Sequence, residues 1–209
     1  IDNYENHSIC NICSHEIKRV TTVSSYKDTD RVSSGARYKY AKVENFEECI
    51  ADFQGRPNHA IPDKVFTDLI AQFERHHLLL EGKHRFQPIK VEHVRKFLKS
   101  IKCSKYYANA IYIWSRITGK SPPNISKIES GLIEDVKAMH EVYDKMSTEE
   151  KEGRTSFPNL NYILCQALRR RNINIDMSFF KLLKKDRMDQ HNRIYNRMCN
   201  RLEWGFSAI

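Results

Sequence analysis

Cys10 and Cys13 are the closely spaced cysteine pair of this 209-residue chain. Two intervening residues allow a tight turn to bring both thiolates onto one tetrahedral zinc ion. A closed structural site takes four ligands, and no second such pair follows. His7 and His15 stand at spacings poorly suited to completing it. Cys10 and Cys13 are therefore expected to bind zinc together with ligands from elsewhere. Cys49, Cys103, Cys165 and Cys199 are singletons. Those at 49, 165 and 199 fall in helical apolar patterns, which favours buried thiols over a disulfide framework.

The second chemistry is cationic. The net charge of +9 is segregated: residues 75–120 carry 11 Lys and Arg against 2 Asp and Glu, and residues 169–209 carry 10 against 4. Segment 44–74 reverses this, with 2 against 7. Blocks of one sign are the electrostatic footprint of a polyanion partner, or of a solvated face. Within the first block, Glu92, Arg95, Lys96, Lys99 and Lys102 recur along the side opposite an apolar stripe. Lys105, Asn109, Tyr112 and Arg116 run along the next helix, with Cys103–Ser104 as the joint, so a helix-turn-helix crossing is expected. Basic residues interleaved with an aromatic and an amide suit phosphates, sugars and base edges.

Two arginine groups extend the reading. Arg169, Arg170 and Arg171 end a helical pattern, where cations complement the helix dipole or bind phosphate. Asn-Arg recurs at 192–193, 196–197 and 200–201. At about 100° per residue, Arg193, Arg197 and Arg201 form one ridge and the asparagines a second beside it. Both ridges are expected to face solvent or a nucleic acid, with Met188, Tyr195, Met198 and Leu202 packing elsewhere.

The body that positions these residues reads as all-α. Glycine and proline are few, 7 and 6, and the apolar period is helical from Asn45 onward. Stripes begin at Phe46–Ile50–Phe53 and Val65–Leu69–Phe73, then Val91–Val94–Leu98 and Tyr107–Ile111–Trp114. They continue through Leu132–Val136–Met139, Leu160–Leu164–Leu168 and a last helix from Asp186 to Leu202. Before them, Ile17–Val23 reads as a strand and 24–37 as a polar linker, which gives a ribbon segment over 1–37 and a helical domain over 38–209. No apolar run approaches the roughly 20 residues of a membrane span. No catalytic fingerprint is present, and Asp28 and Asp30 lack a third ligand, so a non-enzymatic protein is expected.

Several blocks occur in a distinctive order. CNIC (10–13) precedes YKYAKVENF (38–46), FQG (53–55), Ile61-Pro62, KYY (105–107) and TGKSPP (118–123); NLNYIL (159–164), FFKLLK (179–184) and LEWGF (202–206) follow. In this order the chain resembles the viral late transcription factor 3-like family of poxviruses, giant viruses and related DNA viruses. The resemblance implies a zinc ribbon ahead of the helical domain, with Cys10 and Cys13 as its second knuckle and the first before Ile1. That truncated ribbon would hold zinc only when complete. It further implies a factor for late viral promoters, with double-stranded DNA and the viral multisubunit RNA polymerase or another viral factor as partners. The setting would be the host cytoplasm (viral factory) or nucleus, or the virion. The rival reading is a non-catalytic protein-binding scaffold of the viral transcription or packaging machinery.

Overall fold

The computed structural model describes residues 2–4, 7–9, 16–18 and 43–209, apart from Asn58, Ile175 and Leu182. The chain divides into two compact units, Ile1–Ala41 and Lys42–Ile209. In the first, β1 (Asp2–Tyr4), β2 (His7–Ile9) and β3 (Glu16–Lys18) form an antiparallel sheet in the order β1-β2-β3. Ser8 pairs with Asn3 on one side and Ile17 on the other. Cys10 and Cys13, the expected strand beyond Lys18, the linker 24–37 and Asp28 and Asp30 lie outside the described residues.

The second unit is a helical bundle whose stripes match the sequence periodicity. Helix α1 spans 43–53 and buries Phe46, Ile50 and Phe53. Helix α2 (Asp63–Arg75) starts after Pro62, whose fixed φ suits a helix entrance, and buries Val65, Leu69 and Phe73. Helix α3 (Val91–Ser100) buries Val91, Val94, Phe97 and Leu98. Helix α4 (Ala110–Thr118) ends at Gly119, which takes the left-handed conformation that closes a helix readily. Helix α5 is Glu129–Lys145. Helix α6 (Leu160–Arg170) is capped by Asn159, whose side chain accepts from the Tyr162 amide. Helix α7 is Lys185–Arg201.

One expectation is corrected. The joint between α3 and α4 is not the pair Cys103–Ser104 but residues 101–109. The chain leaves α3 through Lys102 at φ 58° and makes a separate 3₁₀ turn at Ser104–Tyr106 before α4 begins. Lys105 therefore lies on that turn and not on the α4 surface.

Residues far apart in sequence close the core. Phe53 stacks on Phe180 at 5.0 Å, and Phe179 meets both Phe53 and the Trp114 ring edge-on. The Trp114 indole N–H donates to the Ile89 carbonyl at 2.9 Å, so its polar atom is satisfied inside. The FQGR sequence staples the end of α1 to the start of α5. Gln54 Oε1 accepts from the Ile125 amide (3.1 Å) and Ser126 hydroxyl (2.9 Å), while its Nε2 donates to Glu129. Arg56 pairs with the same Glu129 at 2.7 Å. Gly55 has φ 65°, and a Cβ there would sit 3.2 Å from Pro122. A glycine thus serves both the turn and the close approach of the TGKSPP segment.

A polar network lies between α6 and α7. The Tyr162 hydroxyl donates to Asn192 Oδ1 at 2.8 Å and accepts from Gln166 Nε2 at 3.1 Å. Asn192 is buried, so the expected asparagine ridge breaks at its first member; only Asn200 of the three is fully exposed. The physical reason is that α7 packs along a face wide enough to include Met188, His191, Asn192 and Tyr195. Burial pushes the Cys165 and Cys199 thiols up to about 11. Both thiols are unbridged, as are Cys49 and Cys103.

Candidate nucleic-acid interface

The expected basic residues separate into two kinds. Lys96, Lys99, Lys102, Lys105 and Arg116 are exposed, and Tyr112 is half-buried among them in the chain. None of these five cations forms an ion pair among the described residues. Lys96 and Lys105 lie over the rings of their neighbours, Phe97 at 5.8 Å and Tyr106 at 5.0 Å, leaving their ammonium groups at the surface. Arg95 differs. Its guanidinium turns inward and donates to the Phe179 carbonyl (2.6 Å) and the Ser178 carbonyl (3.4 Å). Burial lowers its pKa, with Glu92 opposing the shift. Arg95 thus anchors the 177–179 turn (Met177–Phe179) against α3 and does not join the exposed lysines.

Two members of the arginine triplet and the arginine ridge are met by acids within the molecule. Arg170 and Arg171 both bind Asp135 of α5, and Arg170 lies 4.0 Å over the Trp204 ring. Arg171 passes close to Gly131, where a Cβ would be 3.1 Å from its guanidinium. Arg169 donates to the Ala208 carbonyl at 3.0 Å and the Ser207 carbonyl at 3.4 Å. On α7, Arg193 grips Glu152 with two hydrogen bonds, 2.7 and 2.9 Å. Arg197 reaches Glu152 at 3.3 Å and the Glu150 carbonyl at 2.5 Å, and Arg201 pairs with Glu150 at 2.5 Å. The arginines of the ridge are each bridged to Glu150 or Glu152 of the loop 147–154, although Arg193 and Arg201 remain exposed. Nothing in the sequence spacing pairs Arg193 with a residue 41 positions earlier.

Beside α3 lies a cleft of about 610 Å³ that the sequence pattern did not single out. Helix α1 lines it with Glu48, Cys49 and Asp52 and α3 with Arg95 and Lys96; Tyr107, Phe179 and Lys181 also line it. Asp52 accepts from Asn109 Nδ2 at 3.3 Å. Burial, with the Glu48 charge one helical turn away, raises the Asp52 pKa to about 6, and His59 opposes the shift. Cys49 is pushed up to about 12 by burial and by Asp52, which makes it an unreactive thiol. Lys181 sits over the Tyr107 ring at 5.5 Å. The FQG, KYY, NLNYIL and FFKLLK blocks all contribute lining residues. FQG, KYY and NLNYIL alone read as parts of helix stripes and FFKLLK as a short apolar segment between helices; only their meeting in space reveals the cleft.

Among the described residues, no three His, Cys, Asp or Glu side chains are grouped to hold a metal ion. No helix among them is long and apolar enough to cross a membrane. What the described residues define is a helical module whose α3–α4 region carries exposed cations, Lys96, Lys99, Lys102, Lys105 and Arg116. The chain belongs to the family described as Poxvirus Late Transcription Factor VLTF3 like, whose model matches residues 33–206. It is 28% identical over 214 residues to Putative transcription factor 282R of Invertebrate iridescent virus 6, covering 96% of this chain and 55% of that protein. It is 27% identical over 220 residues to Putative transcription factor 079L of Invertebrate iridescent virus 3, covering 97% and 56%. It is 24% identical over 206 residues to Putative transcription factor R429 of Acanthamoeba polyphaga mimivirus, covering 97% and 45%. The chain spans about half the length of the curated relatives it matches. No solved structure matches it.

Proposed function

We propose that this chain is part of a non-enzymatic viral transcription factor that acts at late promoters by holding double-stranded DNA. The observation that carries the reading is the contrast between the two basic populations. Lys99, Lys102, Lys105 and Arg116 stay exposed without an acid partner among the described residues, while Arg170, Arg171, Arg193, Arg197 and Arg201 are paired with carboxylates of the same chain. Family membership and the names of the relatives support the transcriptional setting. The acidic α1–α2 segment, with Glu44, Glu47 and Glu48 exposed, is suited to the viral RNA polymerase or a second viral factor. Zinc belongs to the proposal through Cys10 and Cys13, which stand in the connection between the paired strands β2 and β3. Metal content of the full-length protein, compared with Cys10→Ser and Cys13→Ser, tests that part. The site of action in this reading is the viral factory or the host nucleus.

The test of the DNA reading is the salt dependence of duplex binding. Wild type is expected to lose affinity steeply with salt. Lys99, Lys102, Lys105 and Arg116 changed together to Ala should flatten the log–log slope by about 0.9 for each phosphate no longer neutralised. A folded quadruple variant with the wild-type slope overturns this face as the DNA-binding surface. The scaffold reading predicts the reverse pattern: no duplex binding, and salt-sensitive capture of an acidic protein partner.

A further inference from the structure

The cleft beside α3 is lined by charges of both signs. Glu48 and Asp52 stand one turn apart on α1, and neither makes an ion pair with Lys96 or Lys181 among the described residues, although all four line the same space. Acids and ammonium groups that line one cleft without pairing suit an occupant carrying both donors and negative charge; Arg95 lines it too, with its guanidinium held by the Phe179 and Ser178 carbonyls. Tyr107 and Phe179 supply aromatic surface, and Asn45, Asn159 and Asn161 supply further polar groups. At about 610 Å³ the space is of the size of small-molecule sites generally, roughly 300–1,000 Å³.

A nucleotide carries both donors and negative charge. Its phosphate complements two lysines, its base stacks on aromatic rings, and the Watson–Crick edge of guanine presents an imino and an amino N–H side by side, which one carboxylate accepts together. Adenine, cytosine and uracil lack two adjacent donors at neutral pH. We propose that this cleft binds a guanine nucleotide, with the base edge toward Asp52 and Glu48 and the phosphate toward Lys96 and Lys181. Asp52 is held by Asn109 and so is oriented in advance. Lys181 is held over Tyr107, so the phosphate side and the stacking surface come as a unit. Four separate sequence blocks converge on this one space, which the duplex face on Lys99, Lys102, Lys105 and Arg116 does not use.

Calorimetric titration of the full chain tests both ends of the occupant. Guanosine 5′-monophosphate is expected to bind about tenfold more tightly than inosine 5′-monophosphate, which lacks the amino group. It should also bind more tightly than guanosine, which lacks the phosphate. Asp52→Asn should abolish the first preference and keep the second. Lys96→Ala with Lys181→Ala should abolish the second and keep the first. Glu48→Gln, at an exposed position, gives an independent reading of the acidic wall should Asp52→Asn alter folding. An oligothymidylate with a single guanine separates the sources: tighter binding than the mononucleotide assigns an unpaired strand, and equal or weaker binding assigns free nucleotide. Equal affinity for all three small ligands, no binding of any, or preferences unmoved by the variants overturns the proposal. The quadruple variant of the duplex face should bind guanosine monophosphate as wild type does. Loss of duplex binding and loss of nucleotide binding are thereby separate results.

Discussion

Gln54 shows how a single polar residue beside a turn becomes structural. From its neighbours it reads as a tolerant position, yet the fold uses its carbonyl oxygen to satisfy the Ile125 amide and the Ser126 hydroxyl in a buried setting. Gln54→Ala would leave the Ile125 N–H buried without an acceptor, at a cost of about 1–3 kcal/mol, and would also remove the hydrogen bond to Glu129. Urea denaturation checks this; a change below about 0.5 kcal/mol would mean that water replaces the amide. Phe53→Ala and Trp114→Ala should each cost about 3–5 kcal/mol, since both rings pack on the Phe179–Phe180 segment. Asp52 acts in the opposite sense. Its pKa is raised from 3.8 to about 6, chiefly by burial and then by Glu48. The folded state therefore holds this proton more tightly than the unfolded chain. The stability it contributes is full below about pH 4 and is lost as pH rises through about 6. Asp52→Asn removes the buried charge and keeps an acceptor for Asn109, so it should raise Tm at pH 7.5 and leave it unchanged near pH 4. A gain of the same size at both pH values would show that the ionised carboxylate carries no penalty.

At the scale of elements, the helices were legible because period and burial agree. Apart from the half-buried Tyr107, Leu160 and Leu202, the stripe residues are ones that the core buries, and Gly55 and Gly119 fall where left-handed backbone is needed. The connection between α3 and α4 was not legible. Lys102 at φ 58° and the 3₁₀ turn at Ser104–Tyr106 give no sign in a pattern read for 3.6-residue periodicity. Pairings between elements were equally hidden, as Gln54 with Ile125, 71 residues apart, and Arg193 with Glu152 illustrate. The loop carrying Glu150 and Glu152 changes what the α7 ridge can do. Arginine hydrogen bonds hold the Glu152 carboxyl below its usual range; for Glu150 the Ser147 amide acts first and Arg201 second. A DNA phosphate must compete with these carboxylates for the same guanidinium forks. Arg193, Arg197 and Arg201 changed together to Ala should therefore alter duplex affinity less in the wild-type loop than in a Glu150→Gln, Glu152→Gln background. In that background the salt slope of duplex binding should steepen, as arginines released from acid partners reach phosphate. Equal effects of the triple change in both backgrounds would remove the loop from any control of the ridge.

At the scale of the whole molecule, the described helical unit carries its own core, from Phe46 in α1 to Cys199 in α7, drawn from every helix between them. The unit Ile1–Ala41, with the Cys10–Cys13 pair, is separate from it in compactness. The two should therefore respond differently to metal. Structural zinc contributes folding free energy directly to the segment that binds it, and only to elements whose packing depends on that segment. Since the helical unit buries a core of its own, from Phe46 to Cys199, removing metal should leave it folded. The expected outcome is one cooperative loss of helical circular dichroism on heating, with the same midpoint in chelator and in added zinc. In the same samples, resonances of the first unit should change with metal if Cys10 and Cys13 bind it. A fall in helix content on chelation would make the two units one folding entity and would place a zinc-dependent contact at the root of the bundle's stability.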